Sequence, residues 1–305
     1  MFFLTSLSVV SFAQSVDTSQ SVDSTYNSED WSNQVIIPPL FEYIIAPEEL
    51  PDLKSKTDYL MENFWNPMDF KNVGAVDQNA LNHAFGVYVQ AMQYASEDKV
   101  KDSVKKLIGK IKTNPTLTYQ FTKAAEENLY GPRAELWGDE IYISFLQNLM
   151  DNKKIDDSKK VRYADQLALL KKTAVGEKLP QIKLFNKEST PTSFIFNKKY
   201  TLLNFTTPNC EDCRYSFLKM DISGGINDMI EDGLLGVDVI LLGEKMADGN
   251  LPEKWTVLYS PDALEELDIR MLPSFYIVDN NGKVVAKNLN IDSAIDILEV
   301  LNNKE

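Results

Sequence analysis

The chain has 305 residues and carries 45 acidic against 31 basic side chains, for a net charge of −14. It would be repelled by phosphate backbones and anionic lipid head groups, which excludes nucleic acid as an expected partner. Its composition, 44% hydrophobic and 25% charged, is that of an ordinary globular protein, and its length exceeds one core and calls for two domains.

In chain order, residues 1–13 run through Phe2, Phe3, Leu4, Leu7, Val9, Val10 and Phe12, with small Ser11 and Ala13 where a signal peptidase reads. They are expected to be a signal peptide, although the basic residue that usually precedes such an apolar run is missing. The expected location is periplasmic or otherwise extracytoplasmic, soluble after leader removal. Residues 14–38, rich in Ser, Asp, Asn, Thr and Gln and ending at Pro38-Pro39, are expected to be a disordered linker. Residues 39–172 form the next expected unit, a helical domain of five or six helices. It is broken at Asn66-Pro67, Asn114-Pro115 and Gly131-Pro132, with an apolar stripe of Leu81, Phe85, Tyr88, Val89 and Met92. Lys105, Lys106, Lys110 and Lys112 fall along one helical segment flanked by Glu97, Asp98 and Asp102, which reads as a solvated helix face.

After Val175-Gly176 the texture changes, and 173–305 is expected to be an α/β domain with a mixed sheet. Residues 182–185 and 193–196 read as a small hairpin, and 201–206 and 237–242 as buried strands. Helices are expected at 210–220, 261–267 and 291–301. Strands at 275–278 and 283–287 flank Asp279-Asn280-Asn281-Gly282, a turn where positive φ is wanted.

The two cysteines stand in Cys210-Glu211-Asp212-Cys213, after a buried strand and at the start of a helix. A helix N-terminus offers unpaired N–H groups and partial positive charge, which favours a thiolate there. Cys210 is therefore the expected attacking thiol, and Cys213, one turn on, the resolving thiol that closes a Cys210–Cys213 redox disulfide. A purely structural bridge over so short a loop would constrain the unfolded chain little. A zinc site is not expected, because His83 is the only histidine and there is no third cysteine. No metal and no cofactor are expected.

Leu203-Asn204-Phe205, then Cys210 to Cys213, then Leu272-Pro273-Ser274-Phe275 ahead of Asp279-Asn280-Asn281-Gly282-Lys283 resemble the TlpA/ResA-type branch of the thioredoxin superfamily over about the last 130 residues. The resemblance implies a thioredoxin-like fold, a mixed central sheet flanked by helices, preceded here by an all-α domain. It also implies that Pro273 is cis and that Leu272 and Pro273 bind substrate backbone. Asn209, Ser216 and Asn204 depart from the family pattern, at the aromatic residue before the first Cys, a proton-handling Glu and a buried Asp. Acidic Glu211 and Asp212 disfavour the Cys210 thiolate, which tilts the expectation toward a reductase. The segment Asp58 to Trp65 followed by Asn66-Pro67 resembles the helical domain that precedes thioredoxin-like domains in exported bacterial proteins, which implies architecture and no chemistry.

The expected function is reduction or isomerisation of disulfides in protein substrates, with an upstream redox donor as partner and a homodimer through the helical domain possible. Two alternatives stay open. Thr207-Pro208-Asn209-Cys210 also fits the Thr-x-x-Cys core of thiol peroxidases, with Arg214 or Arg270 to orient peroxide. The dithiol could instead serve a non-catalytic binding module. Trp65, Trp137 and Tyr142 read as core aromatics rather than a groove.

Overall fold

The structure, a computed structural model, describes residues 37–132, 134, 136–208, 210–243 and 251–303. The expected leader lies outside the described residues, as does all of the expected linker but Ile37 and Pro38.

The helical region starts where Asp52 caps α1 (Leu53–Asn63) by accepting from the Ser55 amide at 2.7 Å. Asp77 caps α2 (Gln78–Met92) in the same way, through the Ala80 amide. α3 (Glu97–Ile111) follows, and Asn114 then caps α4 (Pro115–Leu129) through the Thr116 and Leu117 amides, with Pro115 at the position that needs no N–H. α5 (Asp139–Asp151) and α6 (Val161–Lys172) complete six α-helices, in line with the periodicity. Leu81, Phe85, Tyr88, Val89 and Met92 of α2 are all buried, against Trp65, Phe121 and Phe145 among others. Phe121 is fully buried and meets Trp65 edge-on at 5.2 Å; its truncation to Ala would cost about 3–5 kcal/mol.

The second half is a seven-stranded mixed sheet. Its strands are β1 (Leu184–Phe185), β2 (Pro191–Thr192), β3 (Tyr200–Thr206), β4 (Leu235–Leu242), β5 (Thr256–Ser260), β6 (Ser274–Asp279) and β7 (Val284–Leu289), in spatial order β2-β1-β5-β4-β3-β6-β7. β3, β4 and β5 are mutually parallel, and β6 and β7 are antiparallel to their neighbours. The side-chain alternation of strands sorts the core into two layers. Leu202, Val237, Val239, Phe275 and Ile277 face Met220 of α7 (Glu211–Ile222), Ile226 and Met229 of α8 (Gly224–Glu231), and Ala294 and Leu298 of α10 (Ile291–Asn302). Leu203, Phe205, Ile240, Tyr276 and Val278 face the other way, toward Ala263 of the short α9 (Ala263–Glu266) and Leu267.

Two sequence expectations are corrected. The partner of β1 is Pro191–Thr192 and not 193–196, because the turn closes through Asn186, whose amide bonds Thr190 and whose side chain caps Glu188 and Thr190. Phe194 and Phe196 stack instead on the core beside β1. The helix expected at 261–267 is only the single turn of α9, and α8 and β5 lacked a clear signal. Gly282 does take positive φ, +76°.

Residues 174–179, after α6, bond along β7: the Gly176 amide to Val284 O, the Val284 amide to Glu177 O, and the Leu179 amide to Gly282 O, at 2.8–2.9 Å. Pro38–Glu305 form one compact unit.

Candidate redox site

β3 delivers the chain to the site. After Thr206 it passes Thr207 and Pro208 and enters α7, with Cys210 as N-cap in extended conformation, φ −105° and ψ 116°. The Cys210 sulfur takes the place of a capping oxygen, accepting the Cys213 amide at 3.1 Å. Cys210 and Cys213 form a disulfide with Cα atoms 5.1 Å apart. Cys213 is 1% exposed, and Cys210 is half-buried. Cys210, the less buried of the two, sits at the positive end of α7, and Cys213 is held inside.

Glu211 and Asp212 are exposed on the first turn of α7. Ser216 is buried with its hydroxyl on Cys213 O at 2.8 Å, so it is occupied by the helix. Asn204 is fully buried; its Nδ2 reaches Met220 Sδ at 3.5 Å, and its Oδ1 has no partner among the described residues. Asp238 lies on the opposite face of the sheet, where burial pushes its carboxyl up to about 6 against an opposing bond from Thr256.

The Leu272–Pro273 peptide is cis. Phe205 pairs with Ser274 across β3 and β6, so Leu272 and Pro273 enter β6 at the same end of the sheet where β3 leads to Cys210. Both are half-buried, beside Met271, which is 49% exposed. Tyr215, Leu218 and Ile222 add an exposed apolar stripe along α7 at helical spacing.

Sequence reasoning missed a buried ion cluster just upstream. Arg270 Nη2 meets Asp268 Oδ2 at 2.7 Å and Asp139 Oδ1 at 2.5 Å, and Arg270 Nε meets Asp268 Oδ1 at 3.0 Å. Lys287 Nζ bridges the same two carboxylates at 2.7 and 2.9 Å, and Asn288 Nδ2 donates to Asp268 at 3.0 Å. The guanidinium lies over the Tyr130 ring at 4.5 Å and the Trp137 ring at 5.4 Å. Burial pushes Asp268 up, but Arg270 and Lys287 outweigh it and hold the carboxyl below its ordinary value. Asp139 lies more than 100 residues from its partners in sequence, and no local pattern marks it.

The other singled-out residues are placed plainly. Arg270 is spent in this cluster, its side chain 3% exposed, and Arg214 is exposed on α7. His83 accepts from or donates to Tyr43 Oη at 2.9 Å. Trp65 and Tyr142 are core, and Trp137 is half-buried with its indole N–H on Gly131 O. Among the described residues there is no cluster of three metal-ligating side chains and no helix long and apolar enough to cross a membrane.

The family model described as a domain of unknown function, DUF5106, matches residues 12–173. No curated protein matches. Among solved structures, a thioredoxin-like protein from Bacteroides caccae superposes with a TM-score of 0.71 at 18% identity, over 87% of this chain and 99% of its own. A conserved protein of unknown function from Bacteroides fragilis (24% identity, TM-score 0.38) covers 41% of this chain and 98% of its own. The thioredoxin domain of a thiol-disulfide oxidoreductase from Bacteroides vulgatus (22%, 0.35) covers 42% and 97%. The first of these shows the fold: a thioredoxin-like sheet preceded by a helical region.

Proposed function

We propose, for a chain that belongs to the DUF5106 family, that its C-terminal part, 173–305, is a thiol-disulfide oxidoreductase that reduces or isomerises disulfides in exported proteins. The observation that carries this is the Cys210–Cys213 bridge at the start of α7, with Cys210 half-buried and its sulfur capping the helix and Cys213 buried.

In the reduced protein the Cys210 thiolate attacks one sulfur of a substrate disulfide. A Cys210–substrate bond forms, the substrate S–S bond breaks, and one substrate thiolate leaves and takes a proton from water. Cys213 then gives up its proton and attacks the Cys210 sulfur. The Cys210–Cys213 bond closes and the second substrate thiolate is released. The substrate gains two electrons, the protein loses two, and an upstream dithiol protein restores them. Water is the proton carrier in this scheme, since Ser216 is tied to Cys213 O and Asn204 does not titrate. We assign Leu272 and Pro273 to substrate backbone, supported by their place at the same end of the sheet as Cys210 and by the TlpA/ResA-type motif. Export rests on the apolar residues 1–13, the helical part at 39–172 carries no chemistry in this scheme, and a homodimer through it is read out by light scattering. The peroxidase alternative is not favoured: Arg270, one of its two candidate arginines, is committed to Asp268 and Asp139.

The test is the reduction potential of the Cys210–Cys213 pair in a glutathione buffer, with insulin reduction on the same sample. A potential near thioredoxin's, roughly −270 mV, with turnover supports a reductase, and one near roughly −120 mV reverses the flow to disulfide donation. A pair that never cycles ends the dithiol mechanism in favour of a binding module.

A further inference from the structure

We infer that the helical region holds the substrate-binding segment in place, with Asp139 acting through Arg270 as a positioning residue for Leu272 and Pro273. The inference rests on the oxidoreductase reading and deepens it, giving the DUF5106 part a role in that site.

The segment from Asp268 to Ser274 is pinned at three points. Asp268 is fixed within the sheet half, its carboxylate by Arg270, Lys287 and Asn288 and its carbonyl by the Tyr276 hydroxyl at 2.6 Å. Ser274 is fixed by its hydroxyl on Asn288 Oδ1 at 3.3 Å. The third point, Arg270, is held from the other half of the molecule. Asp139 opens α5, and Tyr130 and Trp137 flank the connection from α4, so one stretch of the helical region adds to Asp268 a second carboxylate and the aromatic surface under the guanidinium. Between Arg270 and Ser274 lie only exposed Met271 and half-buried Leu272 and Pro273.

Stability is a weak reason for such a cluster, since a buried ion pair is often matched or bettered by apolar residues of similar volume. What the cluster fixes is geometry: a planar fork held by two carboxylates has one orientation. Lys287, on β7, also contacts both carboxylates and Thr173 Oγ1 at 3.3 Å, so the residue that follows α6 is drawn into the same node. A displacement of the α5 N-terminus is therefore transmitted to Arg270, two residues from Leu272, without passing through either cysteine.

The test compares the full chain with Asp139→Asn in insulin reduction. The expected result is a KM raised about fivefold or more, with kcat and the Cys210–Cys213 potential unchanged and most of the loss recovered in Asp139→Glu. Trp137→Ala gives the same direction and serves if Asp139→Asn fails to fold. Lys172→Ala, which cuts the exposed Lys172–Glu266 ion pair between α6 and α9, should leave KM alone. A KM that stays put in Asp139→Asn and Trp137→Ala overturns the inference, as does an equal change in Lys172→Ala. If the unaltered protein turns over no disulfide, the oxidoreductase reading fails by itself. Hydrogen exchange of the amides at 269–276 then decides the positioning role: exchange faster by about tenfold in Asp139→Asn keeps it, and unchanged exchange removes it.

Discussion

The Cys213 amide points at the Cys210 sulfur from 3.1 Å, so the backbone that starts α7 also serves the more accessible of the two cysteines. Only one cysteine has this arrangement, because Cys213 is already inside the helix and buried under it.

Cys213→Ser should accumulate mixed disulfides with substrate proteins through Cys210, and Cys210→Ser should accumulate almost none. Non-reducing gels followed by mass spectrometry of the linked peptides read this directly. Equal trapping by both variants would contradict the division of roles.

Glu211 and Asp212 put two negative charges on the helix turn that faces the Cys210 sulfur. Charges at an exposed helix start are each worth about 0.3–1 kcal/mol, and about 1.4 kcal/mol corresponds to ~30 mV for a two-electron couple. Glu211→Gln with Asp212→Asn should therefore make the pair more oxidising by ~20 mV, measured against glutathione. No shift would mean that the thiolate does not feel this turn, and a shift in the opposite direction would mean that the two acids do not disfavour it.

Asp238 should make the protein less stable as pH rises from about 4 to about 6. Its folded carboxyl titrates at about 6, so over that range the folded state holds a proton that the unfolded state has lost. Asp238→Asn should flatten this slope and raise unfolding free energy at pH 7 by about 2 kcal/mol, as read by urea denaturation.

Asp268 has the opposite sign. Its folded carboxyl lies below the unfolded value, so its contribution is complete above about pH 4 and disappears as pH falls through the folded value. Asp268→Asn leaves Arg270 and Lys287 sharing Asp139 and should cost about 3 kcal/mol at pH 7. The deficit should shrink in strong acid, which a urea series repeated at low pH would show.

Gly282→Ala should cost about 1–2 kcal/mol. The residue has φ +76°, and an added Cβ would stand 3.2 Å from the Phe196 ring, so backbone strain and a contact with an aromatic core residue combine.

Local chemistry made much of this molecule readable in its residues. Asn114-Pro115 opens α4, the stripe through Leu81 and Phe85 is core, and Cys210 to Cys213 lies at a helix start, each from signals a few residues long. The misreadings come from places where tertiary context wins. Ser193 to Phe196 has strand composition, yet Asn186 sets a tighter turn and leaves Phe194 and Phe196 to fill core. β5 begins with exposed Thr256 and carries no clean alternation, and it is a strand because β4 and β1 pair with it. The Asp139–Arg270 contact spans 131 residues and joins two elements whose own patterns are unremarkable.

The bonds that residues 174–179 make to β7 bear on how this protein can be dissected. That strand is the last in the sheet, and the connecting chain, with the Lys178–Lys283 bridge, covers its outer side. A C-terminal fragment begun at 180 would bare a row of unpaired amides and carbonyls and invite edge-to-edge association. A fragment begun at 174 would keep the cover but lose Thr173 and Asp139, leaving two buried cations to share Asp268. Aggregation or lost activity in either fragment would then report a poorly chosen cut, and the faithful unit for solution work keeps the whole of 38–305, because Phe121 of α4 and Phe145 of α5 pack on Trp65 and on Phe85 of α2.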